Sequence, residues 1–278
     1  MGQGTIYPDT IETGGTKNAD TIKTHHNRID ALQKMVAEGL VVEPLVDFYK
    51  DEVREAGRLL KLPKTMIERH PFPGPGLAIR CLCNNGTTNE PTPISDKLQE
   101  ICGQHNIQFQ ILPVKSVGVQ GDNRTYAHPT AIWGEKNWDI LDHISTQITN
   151  STKKINRVLL LLNTDLINKS RLHKAYLTSN RVELLQEIDD VINTVMHDNN
   201  LYDKIWQFPV VLIPYGTNEK PESIVLRPVI SIEAMTANFA KIKEQVLNEM
   251  VEKILTTNKI SNIFYDITNK PPGTIEWE

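Results

Sequence analysis

Cysteine is scarce in this chain: three residues in 278, an odd number, which excludes a disulfide framework. Cys81 and Cys83 stand two ligands short of a structural zinc site, so with Cys102 they read as reduced thiols. No apolar run approaches the ~18 residues that would span a bilayer, and the amino terminus MGQGTIYPD has no basic region followed by an apolar stretch. These absences predict a cytoplasmic protein without a membrane partner. Positive charge is not in excess either, with 30 Lys and Arg against 34 Asp and Glu. The balance gives no overall reason to expect a nucleic-acid partner. A glycine-rich phosphate cradle is also absent, the only adjacent glycines being Gly14 and Gly15. What remains, 39% hydrophobic and 23% charged residues, is ordinary for a globular chain of two or three domains.

Residues 10–28 (TIETGGTKNADTIKTHHNR) are poor in apolar side chains and predict a long loop. Residues 31–39 are expected to be helical and residues 40–45 to form a short buried strand. Residues 50–60 are expected as a helix with Val53, Ala56, Gly57 and Leu60 on one face. Alternating strand and helix reads as α/β, yet one strand and two helices cannot close a doubly wound sheet. This part is therefore expected to be the end of a larger fold. HPFPGPG at residues 70–76 fixes φ at three prolines and reads as a stiff boundary, with residues 77–82 beyond it expected as a strand.

An order of elements then recurs. A helix at 94–107, a strand at 109–113, a polar segment around Arg124, a helix at 138–149 and KINRVLLLLN at 154–163 form the first set. A helix at 184–197, a strand at 210–214, RPVIS from Arg227, a helix at 242–255 and KISNIFYDIT at 259–268 form the second. The anchors Ile111 with Leu212, and Lys154 with Lys259, are offset by 101 and 105 positions, which predicts a duplicated α+β unit. The expected domains are residues 1–76, 77–175 and 176–278. The first copy carries GVQGDNRTY where the second has TNEKPES; the second alone ends in KPPGTIEWE.

Three segments can carry chemistry. In GVQGDNRTY, Gly118 and Gly121 permit tight turns, while Asp122 and Arg124 offer an acceptor and a donor fork suited to phosphate or an acidic N–H. The plainer reading is a hairpin tip with solvated charges. In the amino-terminal loop, Asp9 and Glu12 can share a magnesium ion, and Lys17, Lys23, His25 and His26 can donate to phosphate. Adjacent histidines grip one metal poorly, so His25 and His26 are read as donors. Such a loop is either a lid over a nucleotide or a solvated surface. In the tail, Pro271 and Pro272 stiffen the backbone and Gly273 permits close approach. The tail is read as a surface that touches a partner, or as a plug in which Trp277 fills a groove while Lys270 and Glu276 pair with neighbours. Gln207, just before residues 208–214, is unremarkable alone.

Taken in order, QGTIYPDTIET, IKTHHN, VVEPLVDFYKDEVR, RHPFPGPGLAIR, SVGVQGDNRTY and KPPGTIEWE closely resemble the carboxy-terminal half of the glutamine-hydrolysing GMP synthases. The resemblance is dense over residues 3–80, 114–126 and 261–278. It implies the end of an ATP pyrophosphatase domain of the adenine nucleotide alpha hydrolase type, followed by two α+β dimerisation units as in the longer form of the enzyme. It also implies an activity: ATP with magnesium adenylates the C2 oxygen of xanthosine monophosphate, and ammonia from glutamine displaces AMP to give GMP. By resemblance, Asp9 and Glu12 belong to the lid over ATP and magnesium, with Lys23, His25 and His26 catalytic there. Asp122, Arg124, Gln207, Lys270 and Glu276 match positions that hold xanthosine monophosphate, Arg124 and Lys270 on phosphate, Asp122 and Glu276 on sugar or base.

The chain departs from the family pattern in lacking an amidotransferase-like cysteine setting and a pyrophosphate loop of the type SGGVDS. The expectation is a portion that neither releases ammonia from glutamine nor adenylates alone. It would be completed by the other half in cis or as a separate subunit, and would be a monomer or homodimer. Deleting residues 274–278 is expected to abolish substrate binding and leave the fold intact. An alternative is a binding and dimerisation module without catalysis, resembling small RNA-binding folds in outline; no GxxG loop set among basic residues supports it. Another ATP pyrophosphatase, such as a tRNA thiolase or an argininosuccinate-type ligase, is opposed by the tail and the HPFPGPG segment.

Overall fold

Residues 1–11, 30–74, 76–87, 96–120, 123–231 and 236–278 are described by the computed structural model. They fall into two units, Met1–Arg69 and His70–Glu278. The first holds α1 (Tyr7–Ile11), α2 (Asp30–Ala37), α3 (Lys50–Leu59) and α4 (Lys64–Ile67). Two of these helices start by the same local device: an acidic side chain at the third helical position takes a backbone N–H just ahead of the helix. Asp9 accepts from Ile6 at 3.0 Å and Glu52 from Tyr49 at 2.7 Å. The strand expected at residues 40–45 does not form. Val42 makes a single parallel bridge with Gly2, a turn follows, and Leu40 and Val42 are exposed. β-branched composition favours a strand only where a second strand offers a ladder to pack against. Leu60 is likewise exposed, and Gly57 is the buried position of α3.

The second unit runs α5 (Asp96–Gln104), β1 (Gln108–Ile111), β2 (Ser116–Gln120), β3 (Asn123–Trp133), α6 (Trp138–Ser151), β4 (Ile155–Leu161), β5 (Arg171–Leu172) and α7 (Ser179–Asp198). It continues through β6 (Val210–Ile213), β7 (Tyr215–Gly216), β8 (Glu222–Leu226), β9 (Val229–Ile230), β10 (Asn238–Phe239), α8 (Glu244–Leu255) and β11 (Ile260–Asp266). A seven-stranded sheet takes the order β1-β3-β4-β11-β8-β6, with β2 added on β3. From either edge the pattern is the same. An antiparallel pair (β1 with β3, β6 with β8) leads to a parallel pair (β3 with β4, β8 with β11), and β4 meets β11 antiparallel at the centre.

Burial explains the composition of the central strands. β4 and β11 are buried at every residue, as strands covered on both faces must be. Val158 and Leu160 of β4 face the core under the helices, while Leu159 and Leu161 face a second core on the other side of the sheet. α6 turns Leu141, Ile144, Ser145 and Ile148 to the first core, and its Asn137 cap accepts from Asp139 N–H at 2.9 Å. Among the described residues the second core has no α-helical residue, its Ile167 coming from a short 3-10 turn, and it includes the buried Trp277. Residues 77–82 differ from expectation. Gly76, at φ 72°, turns the chain into a 3-10 helix at Gly76–Arg80, and only Cys81 bridges to the sheet, at Leu212. The whole is a mixed α/β protein. Among the described residues no helix is long and apolar enough to cross a membrane.

Candidate functional site

β4 reads INRVLLL and β11 reads ISNIFYD: one arginine and one aspartate are the lone charges of two mostly apolar strands. Both are fully buried, and Arg157 Nη1 lies 2.8 Å from Asp266 Oδ2. Arg227, just beyond β8, approaches the other oxygen at 3.1 Å and is also fully buried. Burial pushes the Asp266 carboxyl up, but the two guanidiniums and the Thr268 hydroxyl and N–H more than reverse this and hold it below the usual carboxylate range. Burial pulls Arg157 down to about 10, which leaves it charged at neutral pH. Two buried cations on one anion need further acceptors, and β2 and the carboxy-terminal segment supply them. Arg157 Nη2 donates to Val117 O at 3.0 Å, Thr274 Oγ1 at 2.7 Å and Glu276 O at 3.0 Å. Arg227 donates to the carbonyls of Thr268 and Thr274.

The tail is thus part of the core. Trp277 is 0% exposed, donates Nε1 to Asp266 Oδ2 at 3.1 Å and lies 5.0 Å below the Arg157 guanidinium. The tail backbone runs along β2, where Val117 N–H donates to Trp277 O at 2.8 Å and Val119 N–H to Pro272 O at 2.7 Å. Gly273 serves close approach: a Cβ there would stand 3.2 Å from Arg227 Nη2 and 3.3 Å from Arg157 Nη1. Gly118, expected in a tight turn, instead lies within β2. A Cβ on it would meet Asn156 Cβ at 2.8 Å and Pro272 O at 2.9 Å, so it too is required by the tail. The burial of Trp277 and the arginine bonds to Thr274 and Glu276 argue against the expectation that deleting residues 274–278 leaves the fold intact.

Two of the expected site residues meet. Gln207, buried ahead of β6, donates Nε2 to Glu276 Oε1 at 2.9 Å. The same carboxylate takes a fork from Arg80, with Nε to Oε2 at 3.0 Å and Nη2 to Oε1 at 2.8 Å. Lys270 is half-buried and fixed by its backbone, which exchanges hydrogen bonds with Ala237 at 2.7 and 3.2 Å. Arg124 is exposed on β3, across the ladder from Val119, whose N–H binds the tail. Asp9 lies in the other unit, with its carboxylate on the Ile6 N–H. Glu12, Lys23, His25, His26 and Asp122 lie outside the described residues. Among the described residues no three His, Cys, Asp or Glu side chains group to hold a metal. Sequence reading missed Arg80, Arg157, Arg227 and Asp266. The clue for Arg157 and Asp266 is a lone charge in a strand that must be buried on both faces.

A family model for the GMP synthase C terminal domain matches residues 98–165 and 194–277, one stretch in each half of the central sheet. The chain belongs to this family. A probable glutamine-hydrolysing GMP synthase of Leptospira interrogans is 48% identical over 283 residues, covering 100% of this chain and 46% of that protein. A probable GMP synthase of Caenorhabditis elegans is 34% identical, covering 100% of this chain and 48% of that protein. The GMP synthase of Dictyostelium discoideum is 33% identical, covering 100% and 46%. The chain spans about half the length of these relatives. The GMP synthase C-terminal match ends at Trp277, so the tail is inside the family's shared region.

Proposed function

We propose that this chain is the substrate-holding part of a GMP synthase, in which ATP and magnesium adenylate xanthosine monophosphate and ammonia from glutamine replaces the activated oxygen. The observation that carries the reading is the meeting of Gln207 and Glu276 at 2.9 Å on a tail locked by Arg157 and Arg227. Two polar groups distant in sequence are held rigidly on buried scaffolding, as a binding site needs. Glu276 and Asp122 take the sugar or base, and Gln207 is a further contact to the nucleotide. Lys270 and Arg124 take the phosphate, where a cationic donor pair matches the charge of a nucleotide monophosphate.

ATP reaches the enzyme as its magnesium complex, a substrate rather than a resident metal. Asp9 and Glu12 belong to the lid over it, and Lys23, His25 and His26 offset charge on its phosphates. Residues 1–76 are the closing part of an ATP pyrophosphatase domain. Residues 77–175 and 176–278 are two copies of one α+β unit, a reading supported by the sheet order, which is the same from both edges. Because the copies pair with each other along β4 and β11, one chain contains the contact that single-copy relatives would need two chains to make. The protein is then a monomer, and a dimer in sedimentation over a range of concentrations would contradict this.

Calorimetric titration of the chain with xanthosine monophosphate tests the function. One saturable site is expected, with no comparable binding of single-stranded RNA. A folded chain that binds RNA and not the nucleotide would replace this reading with that of an RNA-binding scaffold.

A further inference from the structure

Arg80 has no part in the sequence-derived site, yet it makes the strongest contact to it. It is 3% exposed, and its fork grips both oxygens of Glu276 at 2.8 and 3.0 Å. The guanidinium face lies 5.0 Å from the centre of the Phe72 ring, so its plane is held from one side by an aromatic and along one edge by a carboxylate. Gln207 adds a third donor to the same carboxylate at 2.9 Å. Glu276 itself is 20% exposed, so the carboxylate is pinned without being sealed off.

A glutamate that meets a nucleotide monophosphate has two difficulties. Its side chain has three torsions to fix, and its negative charge opposes the ligand's phosphate. A buried guanidinium fork answers both, since it fixes the plane of the carboxylate and cancels its charge. We propose that Arg80 is a positioning residue for nucleotide binding, orienting and neutralising the Glu276 carboxylate for xanthosine monophosphate. The inference rests on the reading of Glu276 as a nucleotide contact.

The test is a mutant cycle on the full chain, with xanthosine monophosphate affinity as readout and thermal unfolding as a check on folding. Arg80→Met should weaken binding roughly 10- to 100-fold, the range of charge-assisted bonds, and Arg80→Lys should recover part of the loss by restoring charge without the fork. In a Glu276→Gln background the same Arg80→Met change should cost less than about threefold, because a residue that acts through Glu276 has nothing left to act on. If Arg80→Met does not fold, Arg80→Lys takes its place in the cycle. Unchanged affinity, or losses that multiply in full, would overturn the positioning role while leaving the function intact. Absence of binding by the unaltered chain would overturn both.

Discussion

Leu160 and Tyr265 face each other where β4 pairs with β11, and they are 105 positions apart, the offset that also relates Lys154 to Lys259. At this point of the seam the register therefore matches the offset between the two sets of elements. The consequence is an exchange between halves. The tail that leaves β11 lies on β2 of the first half, gripped by Arg157 from β4 and by Arg227 from the second half.

Removing the shared anion should unfold this seam. Asp266→Ala leaves two buried guanidiniums facing each other, and breaking a buried pair costs about 3–5 kcal/mol. Urea unfolding would measure it; a loss below about 1 kcal/mol would show that the tail carbonyls alone satisfy the arginines.

Acid should act on the same carboxylate. Asp266 holds its proton less readily in the folded chain than in the unfolded one, where its pKa is about 3.9. Its contribution is complete above that pH and is lost as pH falls toward the lower folded value. The urea midpoint should drop below about pH 4, and the drop should be shallower in a folded Asp266→Asn variant. Equal slopes would assign the acid sensitivity to other groups.

Gly118→Ala and Gly103→Ala should move stability in opposite directions. The first puts a Cβ 2.8 Å from Asn156 and 2.9 Å from the Pro272 carbonyl, overpacking that costs about 1–3 kcal/mol and displaces the tail. The second, in α5, meets nothing within 4 Å and should stabilise by about 0.5–1 kcal/mol. Thermal melts of the pair decide it, and a neutral Gly118→Ala would mean that the tail can lift from β2 freely.

Trp277→Ala should destabilise by about 3–5 kcal/mol as well as weaken nucleotide binding. Truncation at residue 273 should therefore give a partly unfolded chain. A truncated chain that melts like the full one would restore the tail to an accessory role.

Arg124→Ala separates binding from folding. The side chain is exposed and has no hydrogen bond or ion pair to a described residue, so stability should change by less than about 0.5 kcal/mol. Xanthosine monophosphate affinity should fall by about 1.5–3 kcal/mol. Undiminished affinity would remove Arg124 from the phosphate site.

Much of the fold was legible because its signals are local. The helix expected at residues 138–149 forms at Trp138–Ser151, and β4 and β11 fall in the apolar runs read at matching offsets. Residues 40–45 and 77–82 misled for the converse reason: their apolar composition is that of strands, but a strand exists only where another pairs with it. Of the site, the tail and its two expected contacts could be named from sequence, and Gln207 was placed there only by the family resemblance.

The sequence alone determined the family, the repeated order of elements and the importance of KPPGTIEWE, since each is written in contiguous residues. Only the tertiary structure decided that the tail is core rather than surface, that Gly118 belongs to it, and that Arg80 and Glu276, 196 positions apart, share one ion pair. Buried charges must find partners wherever the chain brings them, and no local pattern encodes a partner that distant.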